Sequence, residues 1–284
     1  TKLPYLGQRL FEPFRQALLS DAALADFDET TYFTQSEVIM KNSQEVRPLQ
    51  TAIPKIKGKI ILEGESGLGK SMFARYLLKQ AKRVTIYLPG EKCAEGVSEA
   101  IYPKLCHEVK DRKFLQKLIE AGVLDICIDG LNRTSERNRM SVIRFMVHSF
   151  KGNMLVTTQP IAWVPPATVK TYVMQPLQHR QIEDFLCGCA QLFPEHITIS
   201  RPKYAQACQD YLADALNAKQ PQKVLESAQQ ILSNPMNLTM VALLGAHGKN
   251  PNLLHLQEQY YHLVAAEYAR RSQGQKFPLR QFAE

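Results

Sequence analysis

The 284-residue sequence contains no apolar run long enough to cross a membrane, and its N-terminus lacks the charged-then-apolar pattern of a secretory signal. It has no internal repeat and no low-complexity segment, so neither a solenoid nor a long disordered region is expected. Cysteine is scarce: six residues are spread along the chain, which disfavours a disulfide framework and favours a reducing environment. These absences predict a cytoplasmic protein without a membrane span.

The net charge and the first residue give weaker evidence about the function than these absences do. Lysine and arginine outnumber aspartate and glutamate by 35 to 27, and this net charge of +8 raises the expectation of an acidic partner such as nucleic acid. The densest basic stretches, Lys110–Lys117 and Arg133–Arg139, also contain acidic residues, so a solvated surface explains them equally well. Because the chain begins with Thr1 rather than methionine, we expect it to be a piece of a longer protein.

Two neighbouring cysteines, Cys187 and Cys189, raise the question of a metal site. They have one residue between them, whereas zinc sites typically place two to four there. We therefore favour small side chains packed along a helix over a metal site, although His179 and His196 are near in sequence.

Short β-rich runs alternate with helical patterns from Lys57 to Pro176. This rhythm predicts a parallel sheet with helices on both faces, and nearly continuous apolar runs fit strands that are buried on both faces. The fold class is therefore predicted as α/β, with a five-stranded parallel sheet. The expected strands are Lys59–Glu63, Arg83–Leu88, Val123–Asp129, Asn153–Thr158 and Lys170–Met174.

Only helical patterns follow Pro176, which predicts an all-α second domain. We expect an N-terminal helical or linker segment at 1–50 that contains the helix Leu10–Leu24, a sheet domain at 51–176 and a helical domain at 177–272. The predicted helices of the last domain are Gln178–Cys189, Pro202–Asn217, Pro221–Ser233, Met236–Ala246 and Asn252–Arg271.

The eight residues Gly64–Ser71, GESGLGKS, match the phosphate-binding pattern G-x-x-x-x-G-K-[ST] in full. They follow a predicted strand and open a predicted helix, Ser71–Lys82, as the mechanism of this loop requires. Gly64, Gly67 and Gly69 permit positive φ angles, so that successive N–H groups can form an anion nest at the helix N-terminus. The sequence therefore predicts a P-loop protein that binds ATP or ADP. The residues expected to contact the nucleotide here are Gly64, Glu65, Ser66, Gly67, Leu68, Gly69, Lys70, Ser71 and Met72.

Three side chains should bind the phosphates and their Mg²⁺ ion. Lys70 should reach the β and γ phosphates, and the Ser71 hydroxyl should ligate Mg²⁺. Asp129 ends an apolar run at the C-terminal edge of the sheet, where open α/β sheets bind ligands, so we assign it to the Mg²⁺ shell. We expect Lys70 and Asp129 to be the catalytic residues. Asp125, four residues earlier, should lie near the opposite end of the strand and receives no role.

Two threonines, Thr157 and Thr158, end the fourth predicted strand, where a polar residue can sense the γ-phosphate or position water. We favour such a sensing role for this strand end over a plain β-branched terminus. The Asn-Lys-x-Asp motif with which related GTPases read the base is absent from the sequence, so ATP is favoured over GTP.

The order of these motifs resembles the NACHT clade of STAND ATPases, within the AAA+ superfamily. The resemblance spans roughly Ile60 to Arg271 and continues into a long final helix, LLHLQEQYYHLVAAEYARR (253–271). The segments that carry it are ILEGESGLGKS (61–71), ICIDGL (126–131), NMLVTTQP (153–160), QPLQHRQIEDFL (175–186) and NPMNLTMVALL (234–244).

The resemblance implies an ATP- or ADP-binding switch of a signalling or defence protein, in which the nucleotide controls oligomerisation. It places Thr158 at the end of the sensor strand and Pro235 near the adenine. The implied partners are other copies of the chain, through the NTPase domain, and the effector and sensor domains of the same longer protein. Residues 273–284 resemble the opening of a winged-helix domain that is cut short.

Two departures from the family bear on hydrolysis. Family members carry acidic residues, which polarise the attacking water, where this chain has Asn132 and Arg133, and an arginine where it has Gln159. The resemblance therefore implies nucleotide binding with slow or absent hydrolysis. Two alternatives stay open: a nucleic-acid-handling AAA+ ATPase, which the net charge favours, and a P-loop kinase acting on a small molecule.

Overall fold

The computed structural model describes residues 24, 27–105, 111–161, 165–191, 193 and 199–272. The chain folds into two compact units, Thr1–Gln175 and Pro176–Glu284. Apart from Leu24, the predicted helix Leu10–Leu24 lies outside the described residues, as does the expected opening of a winged-helix domain at 273–284.

Among its described residues, the first unit contains one sheet of seven strands. In chain order they are β1 (Glu37–Met40), β2 (Val46–Pro48), β3 (Lys59–Glu63), β4 (Thr85–Pro89), β5 (Asp125–Asp129), β6 (Met154–Thr158) and β7 (Lys170–Met174). Their spatial order is β2-β1-β7-β3-β6-β5-β4. The five strands from β3 to β7 run parallel, and β1 pairs antiparallel with both β2 and β7.

The prediction of a five-stranded sheet is therefore wrong in the number of strands. All five predicted strands exist and are parallel, but the sheet continues by two short antiparallel strands from the segment that was assigned to a helix or linker. Those strands, β1 and β2, have only four and three residues, and β2 is exposed along its whole length. Such short strands carry no alternation of apolar and polar residues that sequence reasoning could detect.

Helices cover both faces of the sheet. They are α1 (Leu49–Ala52), α2 (Lys70–Lys79), α3 (Val97–Leu105), α4 (Arg112–Glu120) and α5 (Glu136–Arg144), which ends in a π-helical turn, Phe145–Ser149. Because side chains alternate along a strand, Ile126 and Ile128 of β5 belong to the core under α3, α4 and α5, whereas Cys127 belongs to the core under α2. Residues of odd number in β5 therefore face α2.

The described elements of the second unit are helical. They are α6 (His179–Gly188), α7 (Arg201–Ala215), α8 (Gln222–Leu232), α9 (Pro235–Ala246) and α10 (Leu256–Arg271), with short 3₁₀ turns at Cys189–Gln191 and Leu253–His255. The Asn-Pro pair of the sequence motif opens α9. The Asn234 side chain accepts a hydrogen bond from the Met236 N–H at 3.0 Å, and Pro235 is the first helical residue, where its missing N–H costs nothing. Contact between Pro235 and an adenine stays a prediction.

Candidate functional site

The loop between β3 and α2 has the backbone conformation that an anion nest requires. Gly67 and Gly69 take left-handed φ angles of 82° and 93°. Gly69 caps the N-terminus of α2, and a Cβ atom added there would meet nothing beyond its chain neighbours within 4 Å, so there is open space at this position. The unpaired N–H groups of the first helical turn and the partial positive charge of the helix end favour an anion in that space.

Gly64 differs from the expectation, because its φ angle is not positive. A Cβ atom added at Gly64 would lie 3.0 Å from the Cβ of Met174 and 3.3 Å from Cδ1 of Leu68. Glycine is therefore suited to this position by the close approach of β7 and not by backbone conformation. Leu68 and Met72 face the core under α2, whereas Glu65 and Ser66 are exposed.

Lys70 is folded back into its own loop. Its Nζ donates hydrogen bonds to the carbonyl oxygens of Gly64, at 2.8 Å, and Glu65, at 2.6 Å, and the residue is only 9% exposed. Burial lowers the pKa of Lys70 and the nearby charge of Arg133 acts in the same direction, whereas the negative charges of Asp129 and Glu65 oppose both. The ammonium group is thus partly desolvated beside the nest, where it is strongly attracted to an anion.

Asp129 lies at the C-terminal end of β5, in a ring of three hydroxyl groups. Its Oδ1 accepts from Ser71 Oγ at 3.0 Å and from Thr157 Oγ1 at 2.5 Å, and its Oδ2 accepts from Tyr87 Oη at 2.7 Å. The Thr157 oxygen in turn accepts from the Gly130 N–H at 2.9 Å. The structure therefore joins Asp129 to Ser71, as expected, through a hydrogen bond between their side chains.

Tyr87 was missed by the sequence analysis. It stands opposite Cys127 in the register of β4 and β5, so its ring shares the α2 face and reaches Asp129, two residues further along β5. The pKa of Tyr87 is raised because burial and the negative charge of Asp129 both disfavour the phenolate, so the group stays a donor. The available signal was a phenolic hydroxyl in an apolar strand, two residues before the strand ends.

Thr158 is fully buried, and its hydroxyl donates to the carbonyl oxygen of Gln159 at 3.0 Å. It is Thr157, not Thr158, that the structure brings to Asp129. The next turn is tied to the same edge, because the Gln159 N–H donates to Oδ1 of Asn132 at 3.2 Å. A nucleotide-sensing role of Thr158 stays a prediction.

Asp125 lies at the opposite end of β5, as expected, and has a structural environment. Its Oδ1 accepts from Arg83 Nε at 2.9 Å and from Asn153 Nδ2 at 3.0 Å. Burial raises the pKa of Asp125, and Arg83 and Asn153 oppose that rise. The carboxylate is therefore already compensated within the fold.

The residues at the C-terminal edge of the sheet fit a magnesium nucleotide. The loop has open space at Gly69, Lys70 folds back into it, and a serine hydroxyl and a carboxylate, which are oxygen ligands that Mg²⁺ prefers, stand 3.0 Å apart. Elsewhere, the described residues contain no group of three or more histidine, cysteine or acidic side chains arranged for a metal, and Cys187, Cys189 and Cys208 are free thiols. In the described part of the chain, no helix is long and apolar enough to span a membrane.

Comparison with known proteins adds little to this geometry. No protein-family model and no curated protein matches the chain. The chain is similar in structure to the Thermotoga maritima RuvB Holliday junction branch migration motor, with 10% identity and a TM-score of 0.35 over 75% of this chain and 64% of that one. Two variants of the same RuvB give 11% identity with a TM-score of 0.35, and 9% identity with a TM-score of 0.34. The first match covers 75% of this chain and 64% of the variant. The second covers 96% of this chain and 80% of the variant. The chain thus spans about two thirds of the first RuvB structure, and at such low scores the similarity carries no inference about function.

Proposed function

We propose that the chain binds ATP or ADP together with Mg²⁺ at the C-terminal edge of its sheet. The observation that carries the proposal is the hydrogen bond between Ser71 and Asp129 beside a loop in which Gly67 and Gly69 are left-handed. A P-loop needs these parts together: backbone donors, a lysine, and a hydroxyl paired with a carboxylate.

Each residue has a defined task in this proposal. The N–H groups of the loop and of the first turn of α2 donate to phosphate oxygens, and Lys70 exchanges its two carbonyl partners for phosphate oxygens. Ser71 and Asp129 hold Mg²⁺, which when bound supplies positive charge to the phosphates. Tyr87 and Thr157 fix the orientation of Asp129.

We further propose that nucleotide binding acts as a switch in a signalling or defence protein of the NACHT type, in which it controls self-association. Support comes from the sequence segments that resemble that clade and from the side chains after β5. Neither Asn132 nor Arg133 is a base at neutral pH, so neither can take a proton from an attacking water. Slow or absent hydrolysis follows, and the nucleotide acts through binding.

The first experiment identifies the nucleotide. The purified protein is denatured, released nucleotide is separated by ion-pair chromatography, and Mg²⁺-dependent affinities for ATP and ADP are measured by calorimetry. Lys70→Ala should weaken binding at least about 100-fold, since it removes charge-assisted hydrogen bonds to phosphate. Lys82→Ala is the matched control, because Lys82 is exposed beyond the end of α2 and should change affinity less than about twofold. A wild-type chain that binds neither nucleotide would refute the proposal.

A second candidate is a nucleic-acid-handling ATPase, which the net charge of +8 favours. Such a protein would bind DNA with an affinity that falls steeply as salt increases. Fluorescence anisotropy with a labelled duplex at about 50 and 200 mM salt separates the two candidates. Absence of binding at the lower concentration argues for the switch.

A further inference from the structure

Arg133 lies on a turn whose backbone is fixed against the candidate phosphate site. The turn is the 3₁₀ segment Leu131–Arg133, which follows directly on Asp129 and Gly130. Gly130 enters it with a left-handed φ of 77°, its N–H is held by the hydroxyl of Thr157, and its carbonyl oxygen accepts from the Arg133 N–H at 3.0 Å. The backbone of Arg133 is therefore tied through Gly130 to Thr157, which also binds Asp129.

The stem of the Arg133 side chain passes over Gly130, while the side chain as a whole is 63% exposed to solvent. A Cβ atom added at Gly130 would lie 3.3 Å from Cδ and 3.4 Å from Nε of Arg133. Nη1 of Arg133 stands 3.6 Å from Oε1 of Glu91, on the turn that follows β4. The guanidinium group thus lies along the edge of the sheet where Asp129 and the P-loop also lie.

The charge of Arg133 acts on Lys70, and Arg133 has only a loose partner of its own. The charge of Arg133 is close enough to Lys70 to lower the pKa of Lys70, in the same direction as burial. The partner that Arg133 has, Glu91, makes a loose pair in which both side chains are about half exposed or more, at 63% and 48%. Such exposed pairs contribute little, so a phosphate can readily replace Glu91 as the partner of Arg133.

The neighbouring Asn132 is also tied to this edge of the sheet. Its Oδ1 is already engaged by the Gln159 N–H, at 3.2 Å. The two residues after Leu131 therefore add an amide and a permanent cation to the edge of the site, and no base. A guanidinium presents a planar fork of donors that matches the oxygens of a phosphate.

We propose that Arg133 binds the terminal phosphate of a nucleoside triphosphate and makes this site select triphosphates over diphosphates. The inference rests on the proposed function, because it assigns a further phosphate contact to the same site. The negative charge of the γ-phosphate offsets the repulsion between Lys70 and Arg133. When the γ-phosphate binds, it replaces Glu91 as the partner of the guanidinium. A diphosphate leaves the contact with Glu91 in place.

The test compares ADP with the non-hydrolysable triphosphate AMP-PNP by calorimetry, with Mg²⁺ present. Arg133→Met keeps the apolar stem over Gly130 and removes the charge. It should weaken AMP-PNP binding about 10- to 100-fold, the range of a charge-assisted hydrogen bond pair, and change ADP binding less than about threefold. Arg137→Met is the control, because it removes the same charge from an exposed position on α5 and should leave both affinities unchanged.

Two further variants guard against a folding defect. Arg133→Lys keeps the charge without the fork and should give an intermediate loss for AMP-PNP. Glu91→Gln frees the guanidinium and should strengthen AMP-PNP binding while ADP is unaffected. Equal changes for both nucleotides in these variants, or no change in either, would overturn the proposal while leaving nucleotide binding intact. A wild-type chain that binds neither nucleotide would overturn the proposed function as well.

Discussion

The hydroxyl of Tyr87 offers the sharpest test of how Asp129 is held. Tyr87→Phe removes one oxygen and leaves the ring, which is only 6% exposed and packs under α2. Asp129 is itself 9% exposed, and its Oδ2 accepts from Tyr87 at 2.7 Å, so the substitution takes that donor away from a buried oxygen. The packing around the ring should not change.

The expected cost follows from the chemistry of the lost contact. A hydrogen bond to a charged group contributes about 1.5–3 kcal/mol, and a buried acceptor that loses its donor costs a similar amount. For a unit of this size, that corresponds to a fall in melting temperature of about 3–12 °C. Because Asp129 is also less well oriented, Mg²⁺-dependent nucleotide affinity should fall about 10-fold, the lower end of the range for lost support of a metal ligand.

The assay is thermal unfolding without nucleotide, followed by ADP titration in Mg²⁺ and in EDTA. Tyr102→Phe is the matched control: the Tyr102 hydroxyl donates to the Gln116 side chain at 2.6 Å, remote from Asp129. It should lower the stability without changing the Mg²⁺ dependence of ADP binding.

A double-mutant cycle isolates the contact itself. In an Asp129→Ala background, Tyr87→Phe should cost much less than in the wild type, since the acceptor is already gone. Costs that are equal in the two backgrounds would show that Tyr87 acts on stability independently of Asp129. That result, or an unchanged Mg²⁺ dependence, would refute the reasoning.

The remaining predictions concern packing and thiol chemistry. Gly90→Ala should destabilise the fold by about 1–3 kcal/mol, because its Cβ would lie 2.6 Å from the carbonyl oxygen of Gly130. Gly245→Ala, on α9, should stabilise the fold by about 0.5–1 kcal/mol, because the added Cβ would meet no atom within 4 Å. Thermal unfolding measures the effects of both glycine substitutions. Iodoacetamide at about pH 8 should label partly exposed Cys187 faster than Cys93, since burial raises the pKa of Cys93 to about 12. Labelling of Cys93 should keep rising with pH well beyond about pH 9, and equal rates by mass spectrometry would contradict this.

The parallel part of the sheet was predictable because its strands are long, apolar and followed by helices. β3 and β7 have the predicted bounds, and β5 and β6 begin one or two residues later than predicted. The antiparallel pair β1 and β2 was not predictable. Its strands are held through the pairing of β1 with β7, in contacts such as Ile39 opposite Val173, and no local pattern reports such a contact.

In the candidate site, too, some residues could be predicted from the sequence and others could not. The loop and Asp129 were found because a fixed spacing in sequence follows from a fixed geometry in space. Tyr87 was not found, since its place beside Asp129 depends on which strands are neighbours and on their register. The choice between Thr157 and Thr158 also needed the register, because adjacent residues of a strand face opposite sides.

The two aspartates at the ends of β5 show why only one of them is suited to hold a cation. Both are buried, but Asp125 is paired with the guanidinium of Arg83, so its charge is compensated within the fold. Asp129 is held by three neutral hydroxyls, and among the described residues it forms no ion pair. Hydroxyl donors stabilise a carboxylate without cancelling its charge. A divalent cation brought in with a nucleotide would therefore find at Asp129 a carboxylate that forms no ion pair with a described residue, whereas at Asp125 it would have to displace Arg83.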